Sequence, residues 1–180
     1  MNSISPIREQ IEKEFSVLEK NIAEALRLFQ DTKSSDEEST SFILRHALFI
    51  SVYSFMEYSL RKLTLALAEP TSYKRRVSEF DKVYQYHSFL VNEMKLDKNR
   101  VEEDWEKLNI FRDIRNAIVH YNATIVKNIN PKSFQFIEED PRIFFEEPRT
   151  FKILDDGLVL ELIEVSKRFL KGLTDQCNGY

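Results

Sequence analysis

Arg115, Asn116 and His120 stand in the stretch FRDIRNAIVHYN, residues 111–122, as an R-N-x-x-x-H unit. Histidine titrates near neutrality, with an ordinary pKa of about 6.5. Arginine is a permanent cation whose planar fork of donors matches the oxygens of a phosphate. Asparagine adds an amide that both donates and accepts. The three fall within about a turn and a half of helix. Together they suit phosphoryl transfer on RNA, which needs a proton moved, a developing negative charge held, and little else.

The pattern predicts a helix over residues 99–126, in which each side chain turns by about 100° from the one before. Ile110, Phe111, Ile114, Ala117, Ile118 and Tyr121 then fall in one arc, which faces the core. Arg112, Asn116 and His120 follow at i, i+4 and i+8 along the opposite side. Arg115 sits at the margin, roughly 140° around from His120. The two strongest groups therefore do not point the same way. An assembled site requires Arg115 to bend around its helix, or a second copy of the motif from a partner protomer. The competing description is a solvated polar face with a structural histidine. Such faces more often carry Glu–Lys pairs than one titrating group, one fixed cation and one amide.

The elements that must hold this helix follow from composition and spacing. With 180 residues, 42% of them hydrophobic, the chain suffices for one globular domain over 1–180, and no second core-like region divides it. There are three glycines, against a usual share of roughly 7%, and Leu, Ile, Glu and Lys recur at helical spacing. The expected fold is all-α, a bundle of four to five helices with a short β-hairpin before the last. Ser5-Pro6 opens a first helix over 6–30, with Ile7, Ile11, Phe15, Leu18, Ile22, Leu26 and Phe29 along one stripe. Residues 31–40, DTKSSDEEST, offer nothing apolar to bury and read as a solvated connection. Residues 41–68 contain no Gly or Pro and are apolar on several sides, as a central helix requires. Glu69-Pro70 stops that helix. A basic loop at Lys74-Arg75-Arg76 follows, and a third helix begins near Ser78. Asn130-Pro131 ends the motif helix's regime, residues 144–154 suggest a strand or small hairpin, and 158–173 close the domain as a helix.

Several function classes are set aside by the same reading. The net charge of -4 repels a polyanion, so nucleic-acid contact must rest on a local patch. The apolar run at 47–56 is too short for a bilayer, so no membrane association is expected. His46 and His87 lack partners at ligand spacing, and no glycine lies in a phosphate-loop context, so neither a metal nor a cofactor is expected. The lone Cys177 has no intrachain disulfide partner and no nearby histidine, and the N-terminus lacks a signal peptide's basic flank and apolar core. A cytoplasmic setting is the expectation.

Two further groups of side chains are candidates for substrate binding beside Arg112. Glu57, at the end of the apolar run, either faces solvent or orients His120 or Arg115 across a helix contact. Lys74, Arg75 and Arg76, with Tyr73 alongside, either form a solvated loop or guide an RNA backbone and stack a base.

The motif resembles that of the HEPN domains (higher eukaryotes and prokaryotes nucleotide-binding). Their hallmark is an arginine followed, after four to six residues, by a histidine, very often with asparagine directly after the arginine. Here it reads Arg115-Asn116-Ala117-Ile118-Val119-His120. The setting is similar too: a late helix of an all-α domain, an apolar helix upstream carrying FISVYSFMEYSLRKL, and a final helix after an irregular segment. The resemblance spans about 41–173 and implies a metal-independent endoribonuclease. In such enzymes a 2′-hydroxyl attacks the neighbouring phosphate, leaving a 2′,3′-cyclic phosphate and a 5′-hydroxyl. His120 would move the proton, Arg115 would hold the non-bridging oxygens, and Asn116 would orient His120 or bind substrate. One histidine does not readily serve as acid and base together, and the family brings two motifs to a shared cleft, which implies a homodimer. A toxin–antitoxin or phage-defence setting, with an antitoxin protein as partner, is implied as well. A tyrosine stands two positions after the histidine in one toxin branch. Here Tyr121 follows immediately, so a role for that tyrosine does not carry over. The alternatives are a non-catalytic HEPN-like module binding nucleotide, RNA or protein, and an unrelated helical dimerisation protein.

Overall fold

The computed structural model describes residues 4–31, 41–146 and 149–177, so most of the connection read as solvated lies outside the described residues. Helix α1, Ser5–Asp31, buries Ile11, Phe15, Ile22 and Leu26 on one stripe. Helix α2, Ser41–Ala68, is the axis of the fold and packs against elements on nearly every side. Phe49, Val52, Tyr53, Met56, Leu60 and Leu63 all lie inside it.

The basic loop is instead the short helix α3, Lys74–Ser78, and α4 begins later than expected, at Val83–Asn92. The reason for the later start is local. The Gln85 side chain accepts the backbone N–H groups of Asp81 and Lys82 at 3.0 and 2.8 Å, closing the first turn of α4.

A 3₁₀ turn over Lys98–Arg100 leads into the motif helix α5, Glu102–Tyr121. Glu102, Glu103 and Asp104 in its first turn favour the positive end of the helix dipole. The helix does not run on to residue 126. Asn122 takes the left-handed conformation at φ 50°, and its N–H and that of Ala123 both reach the Ala117 carbonyl.

Asn130-Pro131, expected as an ending, is a beginning. Asn130 Oδ1 accepts the Lys132 N–H at 2.9 Å, and Pro131 occupies the first turn of α6, Pro131–Glu139. Strands β1, Ile143–Glu146, and β2, Thr150–Ile153, then pair antiparallel with Ile143 opposite Ile153 and Phe145 opposite Phe151. Helix α7, Gly157–Gln176, closes the core through Leu158, Leu162, Val165, Phe169 and Leu173. Among the described residues the fold is thus all-α with one short hairpin before the last helix. Four long helices (α1, α2, α5 and α7) do most of the burying, and three shorter ones fill in.

The hairpin is tied to both helices that matter for the motif. The Ile125 N–H donates to the Arg149 carbonyl at 2.8 Å and the Phe151 N–H to the Ala123 carbonyl at 3.0 Å. The Ile153 N–H donates to His46 Nε2 on α2 at 3.3 Å. Arg142 joins the end of α6 to α7, donating to Asp140 at 2.6 Å and Glu161 at 2.7 Å. The guanidinium beside it holds the Asp140 carboxyl below its usual range.

His46 packs between Phe42 and Phe151, and His87 stacks on Trp105 with centroids 3.9 Å apart. Burial pushes both imidazoles down to about 4. Both are neutral in the folded protein at pH 7, while in the unfolded chain they take up a proton below about 6.5. The unfolded state then binds more protons, so stability is full above about pH 6.5 and is lost as pH falls toward 4. Each histidine contributes on the order of 2–3 kcal/mol at most to that loss. Urea unfolding measured across this range should show the midpoint falling. The fall should shrink in His46→Gln, which keeps an acceptor for the Ile153 N–H and removes the titration.

Candidate active site

Two rows of α5 side chains form the floor of an open groove of about 500 Å³: Arg112, Asn116 and His120, and beside them Asp113, Ala117 and Tyr121. The wall opposite is the segment 126–130, which connects the turn after α5 to the cap of α6. His120 lies exposed at the last turn, and among the described residues no hydrogen bond or ion pair engages its imidazole. Its ring stands beside that of Tyr121, at 6.2 Å between centroids and 69° between planes. Tyr121 itself corrects the helical projection, being 50% exposed rather than buried. The arc holds at Phe111, Ile114 and Ala117, weakens at Ile118, and fails at Tyr121. There the chain turns away toward β2, and the last turn projects past the core.

Arg112 is held in place on this floor. It donates to Asn109 Oδ1 at 2.8 Å and to Asp113 Oδ1 at 3.1 Å, and the other Asp113 oxygen accepts Ser133 Oγ of α6 at 2.7 Å. Its charge is thereby partly offset, while its side chain remains about one-third exposed at the groove.

Arg115 lies on the α2 side of the helix and does not line the groove. Its Nη1 donates to Asn116 Oδ1 at 3.0 Å, and its Nη2 stands 4.0 Å from Glu57 Oε2. Its Nε is buried without a partner. Glu57 therefore faces Arg115 rather than solvent alone, and burial raises its carboxyl above the usual range against the pull of Arg115 and then Arg112. The phenol of Tyr53 is also raised, first by burial and then by the Glu57 charge.

The R-N-x-x-x-H unit is thus divided within one chain. His120 and Asn116 share the groove with Arg112, while Arg115 joins Glu57 and Tyr53 at the contact between α2 and α5. Asn116 connects the two halves, since its oxygen is taken by Arg115 and not by His120. Sequence reasoning missed Tyr53, Asp113 and Ser133. The first had a signal: Tyr53 and Glu57 are four apart and share one face of α2. Ser133 had none, because its helix was not foreseen.

Lys74, Arg75 and Arg76 do not line the groove. Lys74 pairs with Glu69, Arg75 with Glu79 at 3.7 Å and Arg76 with Glu93 at 3.3 Å. Cys177 is buried, with its thiol pushed up to about 11 and donating to the Leu173 carbonyl. Among the described residues, no three of His, Cys, Asp and Glu converge as a metal-binding group, and no helix is long and apolar enough to cross a membrane. In comparisons with family models, curated proteins and solved structures, the chain matches none.

Proposed function

We propose that the protein is a HEPN-like, metal-independent endoribonuclease acting as a homodimer, in a cytoplasmic toxin–antitoxin or phage-defence setting. The observation that carries this reading is the groove, where an exposed imidazole, without a hydrogen bond or ion pair among the described residues, stands in line with an amide and a guanidinium. His120 takes the 2′-hydroxyl proton or delivers one to the departing 5′ oxygen. Arg112 and Arg115 are the cations able to hold the non-bridging phosphate oxygens. Cleavage needs both a base and an acid, and one protomer's groove offers a single histidine. The second copy supplies the other, and with it a geometry in which Arg115 of one protomer serves the histidine of its partner.

A binding module without catalysis is the competing reading. It is favoured by Arg115, whose guanidinium is engaged by Asn116 and faces Glu57 instead of the groove.

Purified protein incubated with RNA in the presence of a chelator should yield fragments ending in a 2′,3′-cyclic phosphate, and its mass in solution should be that of a dimer. Intact RNA under these conditions, over a range of sequences and structures, sinks the enzyme reading and leaves the module.

A further inference from the structure

The groove holds more than the proposed catalytic row uses. Tyr121 stands one residue past His120, half exposed, with its ring set at a steep angle to the imidazole. It gives the core little, and among the described residues no hydrogen bond engages its hydroxyl. An aromatic face left open beside a proton-transfer group is the element on which nucleic-acid sites stack a base.

The polar lining has a definite bias. Asn116 Oδ1 already accepts from Arg115 and Asn130 Oδ1 from the first turn of α6, while the amide nitrogen of each is left as an uncommitted donor among the described residues. The Asp113 carboxylate, the one anion in the lining, is already occupied by Arg112 and Ser133. With Arg112 alongside, the groove presents donors and suits a ligand rich in acceptors, as a phosphate and the carbonyl edge of a base are. Asn128, with no side-chain partner among the described residues, offers both a donor and an acceptor on the facing wall. A base inside a duplex has its faces covered by its neighbours and its edge taken by its complement. Only an unpaired base meets both the ring and the amides.

We propose that Tyr121 is the stacking platform for an unpaired base of the RNA, with Asn128 across the groove contacting that base's edge, so that the site selects single-stranded over duplex RNA. The inference rests on the ribonuclease reading for its substrate class, but it concerns binding and is tested apart from cleavage.

The experiment measures the affinity of full-length protein for a short labelled single-stranded RNA, 2′-O-methylated throughout so that it cannot be cut, and for the duplex of the same sequence. Tyr121→Ala should weaken the single strand by about tenfold, the loss of one stacked base, and leave the duplex unchanged. Tyr121→Trp should bind the single strand at least as well as wild type. Equal single-strand affinity in Tyr121→Ala overturns the proposal, as does a parallel loss for single strand and duplex. A third result also overturns it: Tyr121→Ala dissociating the dimer while single-strand affinity is unchanged, which makes the ring a contact between copies. Wild type that binds no RNA defeats this proposal and the ribonuclease reading together. Wild type that binds through Tyr121 and cuts nothing leaves the platform standing and removes the enzyme. Wild type that cuts RNA while Tyr121→Ala binds equally well does the reverse.

Discussion

His120→Ala should abolish cleavage of RNA by the purified protein, with a rate loss of about 10²–10⁴-fold, and should leave the fold intact. The two halves of this result have separate physical origins. The rate loss follows from removing the imidazole that lines the groove, the group assigned to proton transfer in the proposed reaction. The unchanged fold follows from exposure, since the imidazole carries no hydrogen bond or ion pair among the described residues. Arg115→Ala should likewise lose cleavage with its fold retained. The check is a cleavage assay run beside thermal melts of the same preparations. Undiminished cutting by His120→Ala would remove the enzyme reading, and unfolding of that variant would make the histidine structural.

Phe111→Ala should have the largest effect on stability, a loss of about 3–5 kcal/mol. Phe111 is fully buried where α2, α5 and α6 meet, edge-on to Phe49 at 5.6 Å and to Phe136 at 6.1 Å. Lys107 Nζ lies 5.4 Å from its ring centroid. Truncation removes the transfer energy of the ring and opens a cavity that three helices must collapse to fill. Against a total of about 5–15 kcal/mol, that is a large share. Urea unfolding should show a lower midpoint with an unchanged slope. A loss under about 1 kcal/mol would mean that α6 does not pack as described.

These two residues stand on the same helix, and the contrast between them shows what the amino-acid pattern could reveal. The stripe through Phe111, Ile114 and Ala117 was legible because helical periodicity reports burial wherever a helix has neighbours along its length. It misplaced Tyr121 because periodicity carries no information on where the neighbours stop. The extent of α2, Ser41–Ala68, could be read from its unbroken apolar character and from the Glu69-Pro70 stop. The onset of α6 could not, since Asn-Pro is both a good ending and a good cap, and only the Lys132 N–H on Asn130 decides. In the site, the angle between Arg115 and His120 was correctly a matter of geometry on one helix. Glu57 was legible as one of two alternatives, and Tyr53 through its spacing from Glu57, but the role of Ser133 depended on a helix that a single sequence does not place.

The turn after the motif has a consequence for the order of events during synthesis. Asn122 and Ala123 both adopt positive φ, at 50° and 57°, a conformation that asparagine accepts and alanine avoids. Beside the local bonds to the Ala117 carbonyl, the pairing of Ala123 and Ile125 with Phe151 and Arg149 ties the turn to the hairpin. Those partners are made later, by a stretch of chain that follows α6. A growing chain that has emerged only through α5 carries every residue of the R-N-x-x-x-H unit but lacks the strand that pairs with the turn after it. The turn that follows the motif therefore gains its hairpin partners only after α6 has been made, later than the motif itself leaves the ribosome.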